Sequence, residues 1–226
     1  HYGFDGFVCS AGGYVGCDGK ILVDIPMEPE QVSGLRAALE RAGAECTLEV
    51  RDETYGGIKM IERFANLFPK TPGKVNSEAE RWRKMMEFGM TICPIEKYHG
   101  EPVYKIVFIA PNEECLTEVK RQYESQFVFC ESRLGDEGGG IVNGELINRK
   151  FDKGTGIKAI CGFLGCSLAD TIGFGDSDND LQMTDVVGIS VCMANGSDNL
   201  KKRCDRICPA VSEDGVAKEF AELGLI

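Results

Sequence analysis

The chain has 226 residues, 43% hydrophobic and 27% charged, the balance of a soluble globular protein long enough for one domain or two and a sizeable core. A net charge of -11 argues against binding a nucleic-acid backbone, so a chain this acidic that handles phosphate needs a metal ion and a few local cations. No apolar run approaches a membrane span and no signal peptide opens the sequence, so a cytoplasmic setting with no membrane partner is expected.

The sequence holds eleven cysteines, scattered mostly singly, with no C-x-x-C pair. Cys204 and Cys208 stand four apart, but the two histidines, His1 and His99, are far away in sequence and complete no zinc site. Buried, reduced thiols in a reducing compartment are the expected reading.

In chain order, Phe7-Val8-Cys9 reads as a buried strand and Ser10 to Gly13 as a turn whose glycines permit close backbone approach or positive φ. Tyr14-Val15 and Ile21 to Val23 flank Asp18-Gly19, a hairpin signal. A core strand this near His1 leads to the expectation of a preceding segment. From Pro26 to about Val142 the pattern changes. Glu28-Pro29-Glu30 opens a helix with apolar Val32, Leu35, Ala38 and Leu39, ending near Gly43. Cys46 to Val50 alternates as a strand; 58–68 and the region of 79–88 read as helices. Tyr104 to Ala110 is the clearest strand of this half and Glu113 to Ser125 the clearest amphipathic helix. Phe127 to Cys130 and Gly140 to Val142 read as further strands, the latter after a flexible Asp136 to Gly140. This α+β unit is inserted between pieces of another kind. There is no internal repeat and no low-complexity tract.

Lys153 heads a helix that runs to about Leu164 and stops at Gly165. A lysine there opposes the helix dipole unless an anion sits beside it; an exposed linker lysine is the plain alternative. Beyond it Val187 to Cys192, Ser197 to Cys204, Arg206 to Cys208 and Glu213 to Leu223 alternate strand and helix. Such alternation indicates a parallel sheet with helices on both faces.

The stretch that organises this half is Thr171 to Met183. An apolar run ends in a glycine, and Asp176, Asp178 and Asp180 follow within five positions. Carboxylates at the end of a parallel strand are well placed for a hard divalent cation. An EF-hand fails, because its required glycine and glutamate fall on Leu181 and Val187. A solvated acidic turn with no ligand stays open.

Lys153-Gly154-Thr155, then Gly173 to Asp180, Val191 to Asn195 and Glu213 to Val216, resembles the C-terminal half of a Cof-type phosphatase of the haloacid dehalogenase superfamily. Gly3 to Tyr14 is similar to that family's third core strand and its Asn-Gly turn, with Ala11 in the asparagine's place. The resemblance implies an α/β fold: a Rossmann-like parallel-sheet core, N-terminally truncated, with an inserted α+β cap. The core would comprise 1–25 and 143–226 and the cap 26–142. It further implies a Mg2+-dependent phosphatase of small phosphorylated metabolites, acting through an aspartyl-phosphate. Asp176 would ligate magnesium, Asp180 would ligate or support it, Lys153 would neutralise phosphate and hold the nucleophile, and Asn179 would bond substrate or loop. Asp178 falls at a variable position and receives no role.

Two family motifs are absent: Asp-x-Asp-Gly-Thr, which carries the nucleophile, and the Ser/Thr before Gly-Arg. Covalent catalysis needs the nucleophile, so the chain alone is expected to be inactive, its metal site weak, and an unpaired sheet edge is expected to drive self-association. A non-catalytic binding or regulatory relative is the alternative. A nucleotide-binding Rossmann domain lacks its Gly-rich fingerprint here.

Overall fold

The computed structural model describes residues 3–57, 92–133 and 140–226. The helices expected at 58–68 and 79–88, and most of the glycine-rich stretch from Asp136, lie outside the described residues. The chain divides into two compact units, His1–Ile25 with Phe151–Ile226, and Pro26–Lys150.

The inserted unit is built on a six-stranded sheet. Its members are β4 (Glu45–Val50), β5 (Thr54–Gly56), β6 (Ile92–Pro94), β7 (Val103–Ala110), β8 (Phe127–Arg133) and β9 (Val142–Asn148), in the spatial order β6-β5-β4-β7-β9-β8. All pairings are antiparallel except β5 with β6. Helix α1 (Pro29–Arg41) starts with proline in its first turn, where a missing N–H costs nothing. Its Val32, Leu35, Ala38 and Leu39 form one buried stripe. That stripe, with Leu116 and Val119 (the latter on α2, Thr117–Tyr123), packs on Ile106, Phe108 and Ala110, alternate residues of central strand β7. On the other face of β7 the Lys105 ammonium sits between Glu49 at 3.2 Å and Glu145 at 3.0 Å on the flanking strands.

The second boundary corrects the expected one. The sequence reading ended the cap at Val142, but β9 begins there and pairs with both β7 and β8 up to Asn148. Sheet membership carries the unit to Lys150. The polar Asn143, Glu145 and Asn148 break the apolar pattern within β9, although Asn143 and Asn148 are buried. The amphipathic helix expected at Glu113 to Ser125 is shorter, a 3₁₀ turn (Glu114–Leu116) leading into α2.

The other unit holds two sheets. Strands β1 (Gly6–Cys9), β2 (Tyr14–Cys17) and β3 (Lys20–Asp24) form an antiparallel meander. Asp18 (φ 49°) and Gly19 (φ 72°) form the two-residue hairpin turn. Strand β1 is not the buried strand expected: Phe7 is 40% exposed. The second sheet is parallel, β10 (Ile172–Gly175), β11 (Ile189–Met193) and β12 (Arg206–Cys208), in chain order. Helices α4 (Leu181–Thr184) and α5 (Asp198–Arg203) connect them, and α6 (Gly215–Glu222) follows. Helix α3 (Lys153–Leu164) packs near the meander through Gly156, where an added Cβ would lie 2.6 Å from Val8. The thiols are all free, but only Cys17, Cys161, Cys192 and Cys208 are buried, fewer than the composition led one to expect.

Candidate active site

The site gathers at the start of α3 and the carboxyl end of β10. Asp152 caps α3: its carboxylate accepts the Thr155 N–H at 2.6 Å, and its own N–H donates to the Thr155 hydroxyl at 2.9 Å. That box fixes Lys153 as the first helical residue, where the dipole disfavours a cation. The ammonium is compensated from another element. It donates to Asn179 Oδ1 at 2.9 Å and to the carboxylate of Asp180.

Asp180 is buried, 6% exposed, because β10 ends in Gly175. A Cβ at that position would stand 2.7 Å from the Asp180 Cβ, so only glycine lets the carboxylate fold back beneath the strand end. There its Oδ2 accepts the N–H groups of Asp176 at 3.0 Å and Ser177 at 3.3 Å. Ser177 donates its hydroxyl to Asn179 Oδ1 at 2.7 Å. The 176–180 turn is therefore closed on itself and tied to α3 by Lys153.

Asp178 points to a different partner loop. Its carboxylate accepts from the Ser197 hydroxyl and from Asn199 Nδ2, the latter at 3.0 Å. The Ser197 hydrogen bond first, and that of Asn199 second, hold its carboxyl below the ordinary value. The Ser197 N–H also donates to the Asp176 carbonyl at 3.0 Å, which couples the loop after β11 to the loop after β10. A second approach to α3 comes from the turn after β1. Ser10 (φ 49°), Ala11 (φ 57°) and Gly12 (φ 107°) are all left-handed, and a Cβ on Gly12 would lie 2.1 Å from the Asp152 carbonyl oxygen. Strain of that kind in non-glycine residues costs energy and persists only where the surroundings enforce it.

Of the residues singled out in the sequence, Lys153, Asn179 and Asp180 are brought into direct contact. Asp176 is joined to them only through its N–H. Its side chain is exposed and has no hydrogen bond or ion pair among the described residues. The anion that offsets Lys153 here is Asp180 itself. Sequence reasoning missed Ser177, Ser197 and Asn199. Ser197 also caps α5, accepting the Leu200 N–H, and a serine before a helix signals that capping role and nothing further.

The donor set fits magnesium in part. Asp176 offers a free hard oxygen, whereas both Asp180 oxygens are already engaged by Lys153 and two N–H groups. Among the described residues no group of three or more carboxylate, thiol or imidazole side chains is arranged to enclose a metal ion.

Residues 1–220 match the profile of the haloacid dehalogenase-like hydrolases. The chain is 43% identical over 129 residues to Bacillus subtilis YkrA, a protein provisionally named a phosphatase; the match covers 57% of this chain and 46% of YkrA. Over 78 residues it is 37% identical to YitU of the same organism, named a 5-amino-6-(5-phospho-D-ribitylamino)uracil phosphatase, covering 34% of this chain and 29% of YitU. The chain thus spans less than half the length of these relatives. The fold is similar to that of the solved subclass IIB sugar phosphatase BT4131, with a TM-score of 0.72 at 19% identity over 99% of this chain and 77% of that one.

Proposed function

The chain belongs to the haloacid dehalogenase-like hydrolases, and from that premise we propose that it carries the charge-positioning half of a magnesium-dependent phosphatase of small phosphorylated metabolites. The observation that carries this reading is the division of labour among four side chains. Asp180 is fully committed to holding the turn and Lys153, which leaves Asp176 free at the strand end. In this reading Asp176 holds the metal through a carboxylate oxygen and Asp180 supports it without ligating. Magnesium, when bound, supplies positive charge against the phosphoryl oxygens. Lys153 adds a second cation, and the Asn179 amide group, its oxygen already engaged, turns its N–H groups to substrate. The gain is electrostatic, because phosphoryl transfer spreads charge over the equatorial oxygens.

Attack through an aspartyl-phosphate needs a nucleophile, and the sequence contains no Asp-x-Asp-Gly-Thr to provide one. We therefore expect no hydrolysis of a generic phosphomonoester by this chain alone, and magnesium-dependent hydrolysis once a segment carrying that motif is joined ahead of it. In the joined protein Lys153→Ala should lower kcat by about 10²–10³-fold. Asp178→Ala should cost much less. Failure of the joined, folded protein to hydrolyse any phosphomonoester would favour the second reading, a non-catalytic binding or regulatory relative. The absent motif is what supports that alternative.

The inserted unit is assigned as the substrate-selecting cap. In the other unit, strand β10 has one free edge in its sheet among the described residues, and Phe4, Phe7 and Ile21 are exposed. Both features favour self-association, which sizing chromatography would detect as dimers or larger species.

A further inference from the structure

The far end of α3 carries a pair of thiols that the proposed phosphatase site does not use. The helix closes with a left-handed Gly165 (φ 69°), whose N–H reaches the Cys161 carbonyl. The Cys166 N–H donates to the same carbonyl at 3.1 Å. This is the six-residue hydrogen-bonded turn of a Schellman cap, in which the residues at its two ends bring their side chains into contact. Here those residues are Cys161 and Cys166, which the backbone bond of the cap sets side by side. Their exposure is opposite: Cys161 is buried and Cys166 is exposed. Burial first, and the Cys166 thiol second, keep the Cys161 thiol protonated above its ordinary range. A thiol open to oxidant with a sheltered second thiol across the same cap is the arrangement of a sensing and a resolving cysteine. Cys192 and Cys204 are the rival pair, but Cys192 is buried in β11 and Cys204 is only part-exposed, so oxidant access there is poorer.

We propose that Cys161 and Cys166 are a peroxide-oxidised dithiol, a reversible modification site at the C-terminal end of α3. The Cys166 sulfur attacks one oxygen of hydrogen peroxide and breaks the O–O bond; the other oxygen leaves as water, and Cys166 becomes a sulfenic acid. The Cys161 sulfur then attacks the Cys166 sulfur, and the hydroxyl leaves with the Cys161 proton as a second water. Two thiols and one peroxide give one disulfide and two waters, each sulfur losing one electron as the peroxide takes two. A dithiol reductant reverses the bond by exchange.

The test treats the folded chain with a small molar excess of hydrogen peroxide, blocks the remaining thiols and maps the peptides. Cleavage after Phe163 or Leu164 leaves the two halves joined only if Cys161 and Cys166 are bridged. The expected result is that this bridge forms before any other thiol pair and disappears with dithiothreitol. Cys161→Ser should instead accumulate a sulfenic acid on Cys166 that a dimedone probe traps, and Cys166→Ser should leave Cys161 reduced at the same dose. Both serine variants keep the backbone cap, and their circular dichroism spectra check that they fold. A Cys161–Cys166 bridge absent while other cysteines oxidise, a bridge between Cys192 and Cys204 forming first, or equal probe labelling of Cys166 with and without Cys161 would overturn the proposal.

Discussion

The two compact units differ in where their apolar residues go. Among the described residues the inserted unit buries a cluster of seventeen between its sheet and helices. The parallel sheet of the other unit has a described core of three, Val191, Met193 and Cys208, with Ile172, Phe174 and Ile189 packed partly against it. All ten exposed large hydrophobics among the described residues fall in this second unit, from Phe4 to Ile226. One unit is therefore held mainly by a single large buried cluster, and the other, around its candidate site, adds to its smaller buried clusters polar side chains that close backbone turns. The contrast says which substitutions should hurt which half.

The largest effect is expected in the inserted unit. Phe108 is fully buried, stands edge-on to Phe129 at 6.3 Å between ring centres, and fills the space above Gly144. Phe108→Ala should lower stability by about 3–5 kcal/mol. Hydrogen exchange should show the loss in β4, β7 and β9 while amides of β10 to β12 keep their protection. Equal loss in both sets would mean that the units do not unfold separately, and the comparison would fail.

A polar change should be nearly as damaging in the other unit. Asp180→Ala removes the partner of Lys153 and the acceptor of two turn N–H groups at once. The expected cost is about 2–4 kcal/mol, because a part-buried cation loses its counter-charge and two donors are left unpaired. Asp180→Asn keeps an acceptor oxygen and should recover part of it. Faster exchange of the Asp176 and Ser177 amides in the alanine variant would locate the effect; unchanged exchange there would sink this account of the turn.

How much of this was legible in the sequence follows the range of the interactions. The hairpin at Asp18-Gly19, helix α1 and helix α3 with its stop at Gly165 are fixed by neighbours a few residues apart, and each stands where local chemistry puts it. The inserted unit runs past the expected end at Val142 because β9 is specified by pairing with β7 and β8, which overrides the polar residues in its own pattern. The three-residue strands β5 and β6 pair with each other from Thr54 to Ile92 and leave almost no local signal. At the site, the motif residues were found by resemblance, while their wiring was not. Lys153 meets Asp180 across twenty-seven positions, and Asp178 meets Ser197 across nineteen, distances at which spacing carries no information.

Asp178 offers a subtler probe of the same polar half. Its hydrogen bonds from Ser197 and Asn199 depress its folded value below the ordinary 3.8. A depressed acid contributes stability that is present above its ordinary value and is lost as pH falls through the folded one. Melting temperature should therefore fall more steeply below about pH 4 for the native chain than for Asp178→Asn. Parallel acid limbs in the two proteins would show that the link between the loops after β10 and β11 does not contribute to stability.

The smallest effect belongs to an ion pair whose geometry alone would rank it high. Arg121 grips both oxygens of Glu118 in the inserted unit, at 2.8 and 2.6 Å, and with Gln122 holds that carboxyl down to about 2. By sign, Glu118 would add stability above its ordinary value and lose it as pH falls toward about 2. Yet the two side chains are 71% and 60% exposed, so water and salt screen the attraction, and ordering two long side chains offsets what remains. Arg121→Ala should leave the urea midpoint within experimental scatter, and adding salt to the native chain should change it as little. A clear drop on removing Arg121, erased by salt, would show that surface charge also holds a unit ascribed here to its buried cluster.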